Sequence, residues 1–204
     1  MLAPYMVGLD TTASTCSFMI YNVLKRPRIM ERMTAEADAL FEQGPVRGEA
    51  LKGLDVSRRV AMETLRLHPV SPAVLRTTAN SFEFAGHRVS AGTQVMIGTA
   101  VGHTLEEYFP DPERFDIDRY TPTRGEHRQR GAYAPFGAGN HRCLGSGLVP
   151  VQLGLTMATL LRELHLEPLA PDFELRVRSF PTMQPVDFKI RVVGRRTHDV
   201  AITA

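Results

Sequence analysis

Glycine and proline cut this chain into segments too short and too varied in period for any uniform architecture. Pro27 suits the first turn of a helix, RPRIMERMTAEADALF, and Gly44-Pro45 closes it. Upstream, Met6, Leu9, Phe18, Met19, Ile20 and Leu24 recur at helix-like intervals between about Pro4 and Lys25. LDVSRRVAMETLRL, Leu54 to Leu67, reads as another helix, stopped by His68-Pro69 because a residue before proline is pushed out of the helical region. Then the period changes. SFEFAGHRVSAGTQVMIGTAV alternates around a turn at Gly86 and a break at Ala91-Gly92, the pattern of short antiparallel strands. Tyr108 to Arg130 has no clear period, and a loop of that length inside a compact domain is functional or held by other contacts. Leu144 to Leu166 has helical spacing apart from its early Gly and Pro, and FELRVRSFPTMQPVDFKIRVV gives two alternating runs around a proline-containing turn. The expected fold class is mainly α with a small accessory antiparallel β-sheet.

Composition removes several function classes. With 204 residues and a net charge of +2, the chain carries no basic run that calls for nucleic acid. Its longest apolar stretch, GSGLVPVQLGLTMATLL, is broken by Pro and Gly and falls short of a membrane span, so no membrane anchoring is visible. The opening MLAPYMVGLDTT lacks the basic start and cleavage site of a signal peptide. Cys16 and Cys143 are too few and too far apart for a disulfide framework or a zinc site. A reducing, cytoplasmic setting is the default expectation, although a parent chain with a membrane anchor is compatible with it.

Cys143 stands in PFGAGNHRCLGSG, after a glycine-rich turn and two basic residues. A phosphatase-type nucleophile needs an Arg shortly beyond it, and LGSGLV follows instead. A protease nucleophile needs His and Asn partners in a recognisable frame, and a P-loop needs Gly-Lys-Ser/Thr. Simple burial is the alternative, since free Cys is among the most buried residue types. Against it, Gly137, Gly139 and Gly145 let the backbone approach a flat, bulky object, and His141 and Arg142 supply positive charge. A helix starting just after Cys143 would aim its free amides at the sulfur and favour a thiolate. A single stabilised thiolate implies a metal whose other ligands come from elsewhere, as in a porphyrin.

Phe136-x-x-Gly139-x-His141-x-Cys143-x-Gly145 resembles the haem-binding signature of the cytochrome P450 family, the haem-thiolate monooxygenases. The resemblance implies that Cys143 is the proximal ligand of haem b (iron protoporphyrin IX), that Phe136 packs beside it, and that His141 bonds a propionate. Three further elements follow in family order. Glu63-Thr64-Leu65-Arg66 resembles the family's Glu-x-x-Arg, which with an Arg from a later element, here Arg119 in Ile117-Asp118-Arg119-Tyr120, is implied to lock the cysteine loop. The usual flanking Pro and Phe are Ile117 and Tyr120. Gly8-Leu9-Asp10-Thr11-Thr12 is similar to the distal-helix motif, with Val7 in place of a smaller residue; Asp10 and Thr11 are implied to relay protons to bound dioxygen, and the Thr11 hydroxyl to bond back to the Val7 carbonyl. Arg76 is implied to reach a propionate, with Met6, Val7, Val74, Leu75, and Phe180 to Met183 facing substrate. His68 and His103 read as ordinary surface or core histidines, and Cys16 as a small core residue.

The resemblance runs through the whole of residues 1–204 but lacks the family's earlier helices, so the chain is expected to be the C-terminal part of a single P450 domain. The implied reaction inserts one atom of O2 into a small apolar organic substrate, with electrons from a ferredoxin or flavoprotein reductase. Arg124, Arg128, Arg130 and Arg142 are candidates for docking that donor, with a solvated loop as the alternative. Two rivals stay open: a haem-thiolate isomerase or peroxygenase, which often lacks the acid–Thr pair, and a haem-free, non-catalytic fragment.

Overall fold

A computed structural model describes residues 3–42, 44–170, 173–179 and 182–197. Four α-helices, α1 (Ala3–Leu24), α2 (Pro27–Glu42), α3 (Asp55–Leu67) and α4 (Val149–Glu163), enclose the core. Met19 and Val23 from α1, Met33 from α2, Val60 and Ala61 from α3, and Leu153, Met157 and Leu161 from α4 meet there. The amphipathic patterns explain the packing. In α2, Met33, Ala37 and Leu40 are the buried residues, spaced by four and three. Helix α3 is different, for it buries Arg59, Glu63 and Arg66 along with its apolar side. Buried charge must be paired, and α3 becomes the hub around which later segments organise.

Among the described residues, eight short strands form antiparallel pairs. β1 (Val74–Thr77) pairs with β4 (Gln94–Ile97), matching Arg76 with Val95. Between them β2 (Phe82–Phe84) and β3 (His87–Val89) make a hairpin whose two turn residues, Ala85 and Gly86, have φ of 48° and 78°. Positive φ at both positions is what a tight hairpin of this twist demands. The mainly helical architecture with small antiparallel ribbons is as expected from the sequence.

Two local expectations change. The helix after Cys143 starts only at Val149, after a 3₁₀ turn over Leu144–Ser146, and Leu164 to Leu166 belong to a strand. Gly145 and Gly147 weaken helix propagation, whereas Pro150 sits in the first turn, where its missing N–H costs nothing. At the other end, Leu164 turns extended, and β5 (Leu164–Pro168) pairs with β8 (Ile190–Arg195). The tail therefore splits. β6 (Arg176–Arg178) pairs with β7 (Gln184–Val186), while β8 goes to β5 rather than completing one hairpin.

The aperiodic stretch from Tyr108 to Arg130 holds its shape mainly through ion pairs and 3₁₀ turns, at Ile117–Tyr120 and Glu126–Arg128. Arg124 bonds Asp116 at 2.8 Å and also pairs with Glu126, so it stabilises this loop and is not a free docking cation. Among the described residues, no helix is long and apolar enough to cross a membrane.

Candidate functional site

Cys143 is an exposed thiol at the end of a loop built by local hydrogen bonds. The Gly137 amide donates to the Ala134 carbonyl at 3.0 Å, and the Cys143 amide to the Phe136 carbonyl at 2.9 Å. Gly137 and Gly139 have φ of 70° and 68°, a conformation that side-chain-bearing residues rarely adopt. A Cβ on Gly145 would lie 3.7 Å from the Cys143 sulfur and 3.3 Å from Val149, so that glycine sits directly against the thiol. The expected α-helical terminus aimed at the sulfur is absent, because the chain leaves Cys143 through the 3₁₀ turn and reaches α4 only at Val149.

The thiol opens on a cavity of about 750 Å³. Val7 and Thr11 of α1, Val74 and Arg76 of β1, and Phe136 and His141 of the cysteine loop share its lining with Cys143. Leu65, Val70 and Ile97 add apolar wall. Ligand sites fall in about this size range and have this mainly apolar character with a few placed polar groups.

Other candidate residues lie elsewhere. Leu75 points away from the cavity, since alternation along β1 sends Val74 and Arg76 one way and Leu75 the other, leaving it 63% exposed. Gly139 and Gly145 shape the loop without lining the cavity. Met183, half-buried, donates its amide to the Val70 carbonyl at 2.9 Å and does not line the cavity. Phe180 lies outside the described residues, as does the side chain of Met6.

Asp10 and Thr11 diverge. Thr11 Oγ1 donates to the Val7 carbonyl at 2.9 Å, with the Gly8 carbonyl at 3.3 Å. The Asp10 carboxylate faces the tail instead: Oδ2 accepts from Thr182 Oγ1 at 2.9 Å, and Oδ1 from Gln184 Nε2 at 2.7 Å. Thr11 thus lines the cavity, whereas Asp10 does not and is bonded to the tail.

Behind the cysteine loop, Glu63, Arg66 and Arg119 meet in a fully enclosed charge cluster. Arg66 grips Glu63 with two hydrogen bonds, Nε to Oε2 at 2.7 Å and Nη2 to Oε1 at 2.8 Å. Arg119 Nε approaches Glu63 at 3.4 Å without hydrogen-bond alignment. Its other nitrogens bond Glu126 at 2.9 Å and the Asp111 carbonyl at 2.8 Å. Glu63 thereby serves Arg66 and Arg119, and Glu126 is shared between Arg119 and Arg124. Burial opposes the charge on Arg66, but the hydrogen bonds and charge of Glu63 outweigh it and raise its pKa. The replacement of the usual Phe by Tyr120 acquires a meaning here: its hydroxyl donates to Glu63 Oε2 at 2.8 Å. Burial raises the Tyr120 pKa far above the ordinary phenol value, so it stays a donor.

Sequence reasoning missed Glu126, Tyr120 and His103 as members of this region: the partners of Tyr120 and His103 are distant in the chain, and Glu126 meets the nearby Arg119 within a stretch of no clear period. His103, read as ordinary, is wholly buried and bonded at both ring nitrogens. Among the described residues, no cluster of three His, Cys, Asp or Glu side chains could hold a metal ion. Cys143 offers a single ligand.

The family model for cytochrome P450 matches residues 2–185. The chain belongs to the cytochrome P450 family. It is 38% identical over 164 residues to the cyclooctat-9-en-7-ol 5-monooxygenase of Streptomyces melanosporofaciens, covering 80% of this chain and 36% of that one. It is 34% identical over 166 residues to the sterol 14alpha-demethylase of Mycolicibacterium vanbaalenii, with 80% and 37% covered. The heme domain of cytochrome P450DA superposes with a TM-score of 0.81 at 28% identity, over 92% of this chain and 42% of that one. The chain spans little more than a third of the length of these curated P450 relatives.

Proposed function

We propose that this P450 chain supplies the thiolate side and part of the distal wall of a monooxygenase site for a small apolar substrate. The observation that carries the reading is that Cys143 and Thr11, from segments far apart in sequence, line one largely apolar cavity. The residues present fit haem b. One exposed thiol, a glycine at Gly137 in the lining, and two cationic or basic side chains, Arg76 and His141, suit an iron porphyrin with two carboxylates. When bound, haem supplies the iron centre at which O2 is activated, one atom going to substrate and the other to water.

The chain's own residues have distinct tasks. Cys143 ligates through its thiolate. Arg76 and His141, which both line the cavity, would hold the propionates. Thr11, anchored on the Val7 carbonyl, keeps a hydroxyl in the cavity and holds a proton there; Asp10 would replenish it only on turning from Thr182 and Gln184. Val7, Val74 and Ile97 give the cavity an apolar wall that favours an apolar substrate. The two electrons come from a separate ferredoxin or flavoprotein reductase. We read residues 1–204 as the C-terminal part of a single P450 domain from the order of its motifs; the share of each relative that is matched agrees with a partial domain.

The acid–Thr pair favours oxygen activation over the isomerase and peroxygenase alternatives. The test is the reduced carbon-monoxide spectrum of the haem-loaded protein, with product formed from O2. A thiolate-type Soret band that disappears in Cys143→Ala is expected. Failure to take up haem supports the non-catalytic fragment instead.

A further inference from the structure

We propose that His103 is a positioning residue that sets the register of the cysteine loop against the Glu63–Arg66 pair. This rests on the reading of Cys143 as the haem ligand.

The geometry is a continuous chain of bonds. His103 is fully buried, in a 3₁₀ turn at Val101–Thr104. Its Nε2 accepts from the Ala134 amide at 3.0 Å. A backbone N–H can only donate, so Nε2 carries no proton and Nδ1 must. Nδ1 then donates to the Arg66 carbonyl at 3.3 Å, a helix-end acceptor that α3 itself leaves unsatisfied. Arg66 returns the contact through Nη1 to the His103 carbonyl at 2.8 Å. On the other side, Ala134 lines the cavity, and its carbonyl receives the Gly137 amide at 3.0 Å. The Phe136 carbonyl next receives the Cys143 amide at 2.9 Å. One neutral ring thus links the buried ion pair to the first residue of the loop that ends at the thiol.

Two neighbours hold the ring in place. Tyr133 stacks on His103 at 5.1 Å and anchors its hydroxyl on the Met62 carbonyl at 2.9 Å, one turn before Arg66. At Gly102 a Cβ would meet the Gly131 carbonyl oxygen at 2.2 Å, so this turn and the turn at Gly131 touch backbone to backbone. The ring's position is fixed from both sides, and with it the position of the Ala134 amide.

The experiment uses ¹⁵N-histidine NMR and amide exchange on the purified wild type, together with His103→Leu and His103→Gln in the haem-loaded protein. The expected wild-type ring is protonated at Nδ1 and bare at Nε2. In His103→Leu the Ala134 amide loses its acceptor; its exchange and the rate of haem loss are each expected to rise on the order of tenfold. The reduced carbon-monoxide band is expected to shift partly from thiolate to thiol type. Gln, which can accept at the same place, is expected to restore part of both. A wild-type ring protonated at Nε2 overturns the proposal, and so does a His103→Leu protein with unchanged Ala134 exchange and haem loss. If His103→Leu does not fold, the tautomer decides. Absence of a thiolate band in the wild type would instead count against the haem reading, leaving tautomer and exchange as separate readouts.

Discussion

Gln184 donates a 2.7 Å hydrogen bond to Asp10 across 174 positions of chain, tying the tail ribbon to the helix that walls the cavity. Thr182 takes the other carboxylate oxygen and also receives Gln184 Nε2 at 3.0 Å, closing a three-membered polar clasp. Thr11 next door bonds its own helix, so neighbouring residues of one motif serve different partners.

The clasp is testable by a double-mutant cycle. Asp10→Ala and Gln184→Ala are expected to couple by about 1 kcal/mol in urea unfolding, because residues sharing a hydrogen bond are not additive. Strict additivity would mean that the contact does not persist in solution.

The buried charge cluster predicts unequal costs for its members. Glu63→Gln leaves Arg66 and Arg119 short of their shared counter-charge and is expected to cost about 3–5 kcal/mol. Tyr120→Phe removes one hydroxyl bond to the same carboxylate and is expected to cost about 1–3 kcal/mol. Denaturant midpoints of the two variants, measured side by side, check the order.

Acid should destabilise the protein through its histidines. His68, stacked on Phe18, and His103 both have a pKa lowered from 6.5 to about 4, by burial first. Arg26 and Arg66 add repulsion at His68; Arg66 does so at His103, where the bond to the Arg66 carbonyl pulls the other way. Between pH 6.5 and 4 the unfolded chain therefore binds more protons than the folded one, and stability falls as pH falls through that window. Below about pH 4 both states are protonated and this loss levels off. The expected cost is about 3 kcal/mol per histidine at the bottom of the window. Unfolding titrations of wild type and His68→Phe would show a shallower acid slope in the variant.

Backbone contact at Gly102 gives a steric prediction. Gly102→Ala must displace the Gly131 carbonyl and is expected to destabilise by several kcal/mol, on the order of an overpacked core site or more. At Gly8, where an added Cβ meets nothing within 4 Å, the same change is expected to be neutral or mildly stabilising. Equal melting temperatures for the two variants would contradict this packing.

The helices and turns were legible because their causes are local. Pro27 starts α2 and Pro69 follows the end of α3; Ala85-Gly86 turns the β2–β3 hairpin through its own dihedral angles. The cysteine loop was legible for the same reason, since Gly137, Gly139 and Cys143 lie within a few residues of one another. The exact start of α4 was harder to read. There helical spacing continued through Gly145 and Gly147, while the backbone required a tighter turn beside the thiol.

Partner choice is where local signals stop. Nothing near Tyr120 announces Glu63, nothing near His103 announces Ala134, and β8 could have closed on β7 as well as on β5. By itself the sequence determined where the chain bends, which segments bury an apolar face, and which loop carries the thiol. Only tertiary structure decided that Asp10 faces the tail while Thr11 faces the cavity, and that a histidine of ordinary appearance joins two distant segments. Dihedral preference and hydrophobic period act over a few residues. A buried hydrogen bond selects whichever donor and acceptor the packed core brings within about 3 Å, at any separation along the chain.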